Sequence, residues 1–301
     1  MRTGLAGALL GLMIVAACNA DRPGAGDSPI KPVVVYAEPE QEVRLLEVFS
    51  DFTSETQIPV NLQIADSESN LKNVIDNQGA PRADVLITSN VTDIWRAADE
   101  GALRPIAAKV FEGVPAVLKD PDGTWAPIRV RYAVIAVVEG ASPVDEYGDL
   151  AASELRGKVC LSSSTLPVNR SLIAMLIEDI GLKPAERMVR AWVRNLAASP
   201  YATEQQLVDA LKSGPCQYGV ISSRDDIDGL SIVSPHPLYL DIDAIGVARH
   251  AEQAESAQAL VEWMLESNTL PEPESSNGRN VGLAGWHDED VRLLAERAGY
   301  R

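Results

Sequence analysis

Four hydroxyl residues, Ser162-Ser163-Ser164-Thr165, stand between a short apolar run ending at Leu161 and a stretch with helical periodicity. Hydroxyls and backbone amides ahead of a helix N-terminus converge and can cradle an oxyanion. Ser222-Ser223-Arg224 follow another apolar run, Tyr218 to Ile221, and Arg224 adds a guanidinium that can grip a carboxylate or phosphate through two parallel hydrogen bonds. Thr88-Ser89-Asn90 stand in the same way after Ala83 to Ile87. With Arg224 as charge partner, Ser89, Ser164 and Thr165 as hydroxyl donors and Ser222 and Ser223 beside them, these segments predict a site for a phosphonate, phosphate or carboxylate. Serines ahead of helices also act as plain caps, so the anion reading rests on the set and not on any one residue. Glu40, Glu204 and Asp225 point the other way, because carboxylates in the same place favour a metal or an organic amine. A zwitterion, or a metal with a synergistic anion, satisfies both. Tyr132, Tyr201 and Tyr239 are further candidates for lining or for phenolate ligation.

Catalysis finds little support. His236, His250 and His287 are the only histidines and fall in no metal-binding or catalytic spacing. There is no Gly-x-Ser-x-Gly elbow and no phosphate-binding P-loop. A formal charge of −17 argues against nucleic acid, which is bound through clustered Lys and Arg. The expected chemistry is reversible binding by a monomer, not turnover.

The elements that must position these residues alternate between strand-like and helix-like. Val33 to Tyr36 reads as a buried strand, and Glu40 to Glu55 places Val43, Leu46, Phe49 and Phe52 three apart, as for one helical face. Val60 to Ile64, a helix around Leu71, Val74 and Ile75, Ala83 to Ile87 and a helix through Ile94 and Ala98 complete a βαβαβα run, which predicts a parallel sheet between helices. A second such run begins with Tyr132 to Val138. It continues through Val159 to Leu161, a helix bearing Leu172, Ile173, Leu176, Ile177 and Ile180, a helix through Met188 and Leu196, and a helix through Leu207 and Leu211 capped by Thr203. Tyr218 to Ile221 and Ala244 to Ala248 are the late strands. Helices through Leu260 and Leu294 close the chain. Two α/β units with a returning strand predict two lobes joined by crossing strands: residues 32–108 with 241–281, and 109–240 with 282–301. A cleft then lies between them.

The first residues have another character. One positive charge at Arg2, an apolar run from Leu5 to Ala17 and Val15-Ala16-Ala17 before Cys18 read as a lipoprotein signal peptide over 1–18, with Cys18 as the lipidated residue. The run is short for a bilayer of about 30 Å. Residues 19–31 hold Asp, Ser, Gly and Pro and read as a flexible tether. The expectation is a periplasmic protein anchored through lipid to the inner or outer membrane. With Cys18 assigned to lipid, Cys160 and Cys216 remain as an even pair, either bridged by a disulfide or buried as thiols.

Several segments, in order along most of the mature chain, resemble the periplasmic ferric-iron-binding proteins of ABC transporters, members of the type II solute-binding proteins. They are Val34-Val35-Tyr36, Pro81 to Val85, Glu100 to Ile106, Asp120 to Trp125 followed by Arg129-Val130-Arg131, Asp149-Leu150 with Gly157 to Val159, and Leu293 to Gly299. The resemblance implies a two-lobed α/β fold, parallel-rich sheets flanked by helices with crossing hinge strands, that closes on a small ligand and docks on a permease. It also adds Arg131, at the approach to the hinge, to the candidate ligand residues. In that family ferric iron is held by two adjacent tyrosines, with a histidine and a glutamate in many members, and an anion on a loop matching Ser162 to Thr165 completes the site. This chain departs from the pattern. Arg224 and Asp225 stand at the tyrosine positions, Glu40 near the histidine position and Ser89 near the glutamate position.

Overall fold

Val33–Ala37 forms β1, and all five residues are buried because its two faces pack into two cores, Val33, Val35 and Ala37 into one and Val34 and Tyr36 into the other. β2 (Val60–Ile64) and β3 (Val85–Thr88) pair with it in parallel, delivered by α1 (Glu42–Thr56) and α2 (Ser67–Ile75). The computed structural model describes residues 30–223, 227–267, 270 and 279–301. Cys18, most of the expected tether, Arg224 and Asp225 lie outside the described residues. Lys31–Arg301 forms one compact unit. Among the described residues, no helix is long and apolar enough to cross a membrane.

The chain continues through α3 (Val91–Asp99), β4 (Leu103–Arg104), β5 (Trp125–Val138), β6 (Val159–Cys160), α4 (Pro167–Ile180), α5 (Leu182–Arg194) and α6 (Glu204–Ser213). Then come β7 (Tyr218–Ser222), β8 (Leu230–Val233), β9 (Leu240–Ala248), α7 (Ala254–Glu266) and α8 (Asp288–Ala298). The sheet order is β2-β1-β3-β9-β5-β7-β6, with β4 on β9 and β8 on β5. Parallel pairs arise where helices connect strands, including β6 with β7, whereas β9 and β5 run antiparallel to their neighbours. Side chains cap the helices where the backbone needs acceptors. Asp66 takes the Ser69 amide, Asn90 the Asp93 amide and, as expected, Thr203 the Gln206 amide.

β5 is the long connector. Its first part, Trp125 to Tyr132, pairs with β9, and its second part, Ala133 to Val138, pairs with β7 and β8. Val110, Ala126 and Ile128 pack with Leu45, Phe52, Leu260 and Val261. On the other side, Val134, Ala136, Leu207, Leu211 and Ile221 pack around Cys160 and Cys216, which are joined by a disulfide. A third cluster runs through both halves, from Val34 and Ile94 to Leu172 and Leu294. Val281–His287, a 3-10 turn lying against Trp95 of α3, contributes Val281 and Ala284 to it. A Cβ on Gly285 would fall 2.2 Å from Trp95 Cγ, so only glycine permits that approach.

One expected face is rotated. Phe49 and Phe52 of α1 are buried, but Leu45 is the third inward residue, while Val43 and Leu46 are 75% and 54% exposed. A strict three-residue repeat drifts by about 60° per step on a helix of 3.6 residues per turn, so positions 43 and 52 stand on opposite sides. The 45, 49, 52 spacing stays on one face.

Candidate functional site

A cavity of about 870 Å³ opens between the N-terminal ends of α2 and α3 on one wall and of α4 and α8 on the other. Glu38, Glu40, Asp66, Ser67 and Glu68 line the first wall with Asp93 and Arg96. Ser164, Thr165 and Arg170 line the second with Asp288, Arg292, Glu296, Tyr300 and Arg301. Both signs of charge therefore face one space, next to several helix N-termini that favour anions.

The base of the cavity is tied by Arg170. Its two terminal nitrogens each donate to one Asp93 oxygen at 2.9 Å, and Nη2 also donates to Asp288 at 2.7 Å. Ser67 Oγ and, at 2.7 Å, Asn90 Nδ2 donate to the same Asp93 carboxylate. Burial acts to raise the Asp93 carboxyl, but Arg170 outweighs it and holds the group below the usual aspartate range. Burial likewise acts to lower Arg170, and its two carboxylates keep it above its ordinary value. A bidentate, desolvated pair of this kind fixes the spacing between α3 and α4.

Glu38 and Glu40 follow β1 and share one hydroxyl. Ser89 Oγ lies 2.6 Å from Glu38 Oε2 and 3.0 Å from Glu40 Oε1, and the Ser89 amide donates to Glu38 at 3.0 Å. Burial, reinforced by the charges of Glu40 and Asp93 and opposed by the Ser89 hydrogen bonds, pushes Glu38 up to about 8. Glu38 is buried and Glu40 exposed, so the outer carboxylate is the one presented to solutes.

The predicted site residues are divided between this cavity and its surroundings. Glu40, Ser164 and Thr165 line it. Ser164 Oγ donates to the Tyr300 carbonyl at 3.0 Å, and Thr165 pairs with Ser163, so these hydroxyls organise the loop ahead of α4. Ser89 is fully buried and reaches the cavity only through the two glutamates. Arg131 sits behind the cavity on β5, held by the Ser89 carbonyl, by Asp241 at 3.0 Å and by Asp243 at 2.9 Å. Ser222 donates to Glu204 through its amide and hydroxyl, and Ser223 is bound to the Tyr132 backbone, so neither joins the cavity. Arg224 and Asp225 fall outside the described residues. Of the candidate tyrosines, Tyr239 stacks on Tyr147 and donates to Asp179, and Tyr201 lies beside Cys216. The predicted set left out Glu38, which stands in the loop after the first strand, and sequence reasoning missed Asp93, Arg170 and Asp288. The one local signal was Arg170, a charge within an otherwise apolar helical run. Among the described residues, no cluster of three or more His, Cys, Asp or Glu side chains is arranged to hold a metal ion.

Comparison with known proteins places this geometry. Residues 33–270 match the family model for bacterial extracellular solute-binding protein. Iron uptake protein A1 of Synechocystis sp. is 25% identical over 86% of this chain and 81% of its own length. Iron uptake protein A2 of the same organism is 24% identical over 68% and 66%. Among solved structures, a Trichodesmium protein in complex with iron and citrate ligands superposes with a TM-score of 0.76 at 23% identity, covering 90% of this chain and all of that one. The ferric binding protein from Campylobacter jejuni gives 0.80 at 20% identity, over 89% and 100%. The fold is thus the two-lobed type II periplasmic-binding-protein fold, and the chain belongs to the bacterial extracellular solute-binding protein family.

Proposed function

We propose that this chain is the cargo-binding component of an ABC importer, held outside the cytoplasm by lipid on Cys18, and that its cargo is ferric iron carried with an organic anion. One lobe is built on β1, β2, β3 and β9, the other on β6 and β7, and β5 and β9 form the hinge. Cargo works by differential affinity: it stabilises the closed state, and the permease recognises that state. The observation that carries the reading is the mixed lining of the cavity. Glu40, Asp66 and Glu68 line one wall with carboxylates that favour the cationic side of an iron chelate, while Arg96, Arg292 and Arg301 offer charge to its carboxylates. A volume of about 870 Å³ suits a chelate and far exceeds a bare ion. The iron-associated names of the relatives support the same class of cargo.

A second reading is favoured by the lack of a three-ligand metal cluster among the described residues: the cargo is then a metal-free oxyanion such as a phosphonate. Thermal-shift titration separates the two. Ferric citrate should raise the melting temperature, whereas citrate, inorganic phosphate and methylphosphonate alone should leave it unchanged. At a ligand concentration of about a hundred Kd the expected stabilisation is roughly 2.7 kcal/mol. A shift with methylphosphonate and none with ferric citrate reverses the choice. No shift with any of them removes the transport reading and leaves a binding fold that engages a protein partner.

A further inference from the structure

Behind the cavity, a continuous hydrogen-bonded path leads from one wall to the other through the hinge strands. It starts at Glu40 and Glu38, which share the Ser89 hydroxyl at 3.0 and 2.6 Å. The Ser89 carbonyl accepts from Arg131 Nη2 on β5, and the same nitrogen donates to Asp241 Oδ2 on β9 at 3.0 Å. Asp241 Oδ1 accepts from Ser171 Oγ on α4 at 2.6 Å. Ser171 is the neighbour in sequence of Arg170, whose guanidinium returns to the first wall at Asp93. Arg131 and Asp241 are direct cross-strand partners, as are Arg129 and Asp243.

We propose that Arg131 is a positioning residue that couples the two walls of the cleft, holding the Ser89 loop on one side and, through Asp241 and Ser171, helix α4 on the other. The inference rests on the cleft being the cargo site, but it concerns the chain itself and is tested without cargo.

Three observations separate this role from passive packing. First, Ser89 Oγ contacts both Glu38 and Glu40, so a cargo that engages Glu40 acts on the same loop whose carbonyl holds Arg131. Second, Arg131 has alternatives at hand: its side chain is 12% exposed, it touches both Asp241 and Asp243, and its Nε finds no acceptor among the described residues. Third, fixed charge surrounds the path. Arg44 of α1 holds Asp243 at 3.0 Å, Glu204 lies close enough to act on Arg131, and Asp241 and Asp243 are buried. Fixed charges of both signs offer Arg131 a small set of discrete pairings.

Hydrogen–deuterium exchange on the ligand-free full chain tests it with two gentle variants. Ser89→Ala removes the hydroxyl bonds to Glu38 and Glu40 while keeping the amide bond to Glu38 and the carbonyl. Ser171→Ala removes the contact to Asp241 while keeping the Arg131 pairs. Ser89→Ala should speed exchange in the first turns of α4, and Ser171→Ala should speed it in the 86–91 segment, each by about fivefold, the effect of one buried hydrogen bond on local opening. Arg131→Lys, which keeps the charge but loses the planar fork, should do both. Thr203→Ala, an equivalent loss at the cap of α6, should move neither. Exchange altered only at the substituted wall, in either serine variant, would overturn the proposal. The outcome stands apart from the choice of cargo, because no cargo is present.

Discussion

Ser89 has one proton to offer, and two carboxylates are within its reach. Burial of Glu38, opposed by its bonds from Ser89, makes stability depend on pH in a stated direction. Glu38 is pushed up to about 8 in the fold, whereas an unfolded glutamate titrates near about 4.3. Between those values the folded chain retains a proton that the unfolded chain has released, so stability falls as pH rises through this window and levels off above it. Each unit of difference corresponds to roughly 1.4 kcal/mol. Asp241, raised to about 6 mainly by burial, adds a slope of the same sign between about 3.9 and 6. Asp93 acts oppositely: its depressed value gives stability that is present above the unfolded range and lost in acid. Glu38→Gln removes the first group alone. Melting temperatures of the cargo-free protein from pH 6 to 8 should fall for the parent chain and stay nearly flat for Glu38→Gln; parallel curves would show that Glu38 is ionised throughout.

At the scale of elements, α1 shows how helical phase decides which leucine matters. Leu45 lies against Phe49, Phe52 and the α7 residues Leu260 and Val261, whereas Leu46 is more than half exposed. Leu45→Ala should cost about 2–5 kcal/mol by leaving a cavity, and Leu46→Ala should change stability by no more than about 0.5 kcal/mol. Urea denaturation of the two variants gives the answer, and the reverse order would restore the face read from the three-residue spacing. Elements with unbroken apolar patterns were legible in the sequence: β1, β2, β3, β7 and the helices α4, α6 and α7 all fall close to their expected places. β5 and β9 are longer than their apolar parts, because Arg129, Arg131, Asp241 and Asp243 interrupt the pattern. Those charges sit in strands only because they face one another across the pair, and a partner 110 residues away leaves no local trace. The same holds for the site. Ser164 and Thr165 were visible as hydroxyls before a helix, whereas Asp93 and Arg170 become a site only through a contact 77 residues apart.

At the scale of the whole molecule, a cleft proposed to close on cargo is combined with a core that does not divide. One apolar cluster joins β1 and α3 to α4, α8 and the C-terminal Tyr300, and the ion cluster around Arg170 fastens the same elements at the base of the cavity. Lobes sharing a core and a buried salt bridge lose both when either unfolds, so the chain should unfold as one cooperative unit. Tryptophan fluorescence reports on five tryptophans, of which Trp125 and Trp192 are fully buried, while far-ultraviolet circular dichroism reports on the helices. The two should give coincident transitions in urea. Arg170→Met leaves Asp93 buried without its cation, a loss of about 3–5 kcal/mol, and should move that single transition to lower urea without splitting it. Adding Asp93→Asn removes the stranded charge and should recover part of the loss, because much of the cost lies in the unpaired carboxylate and not in the missing attraction. If fluorescence and dichroism separate in the parent chain, the lobes are independent, and the coupling between the cleft walls must then be carried by the hinge strands without help from a common core.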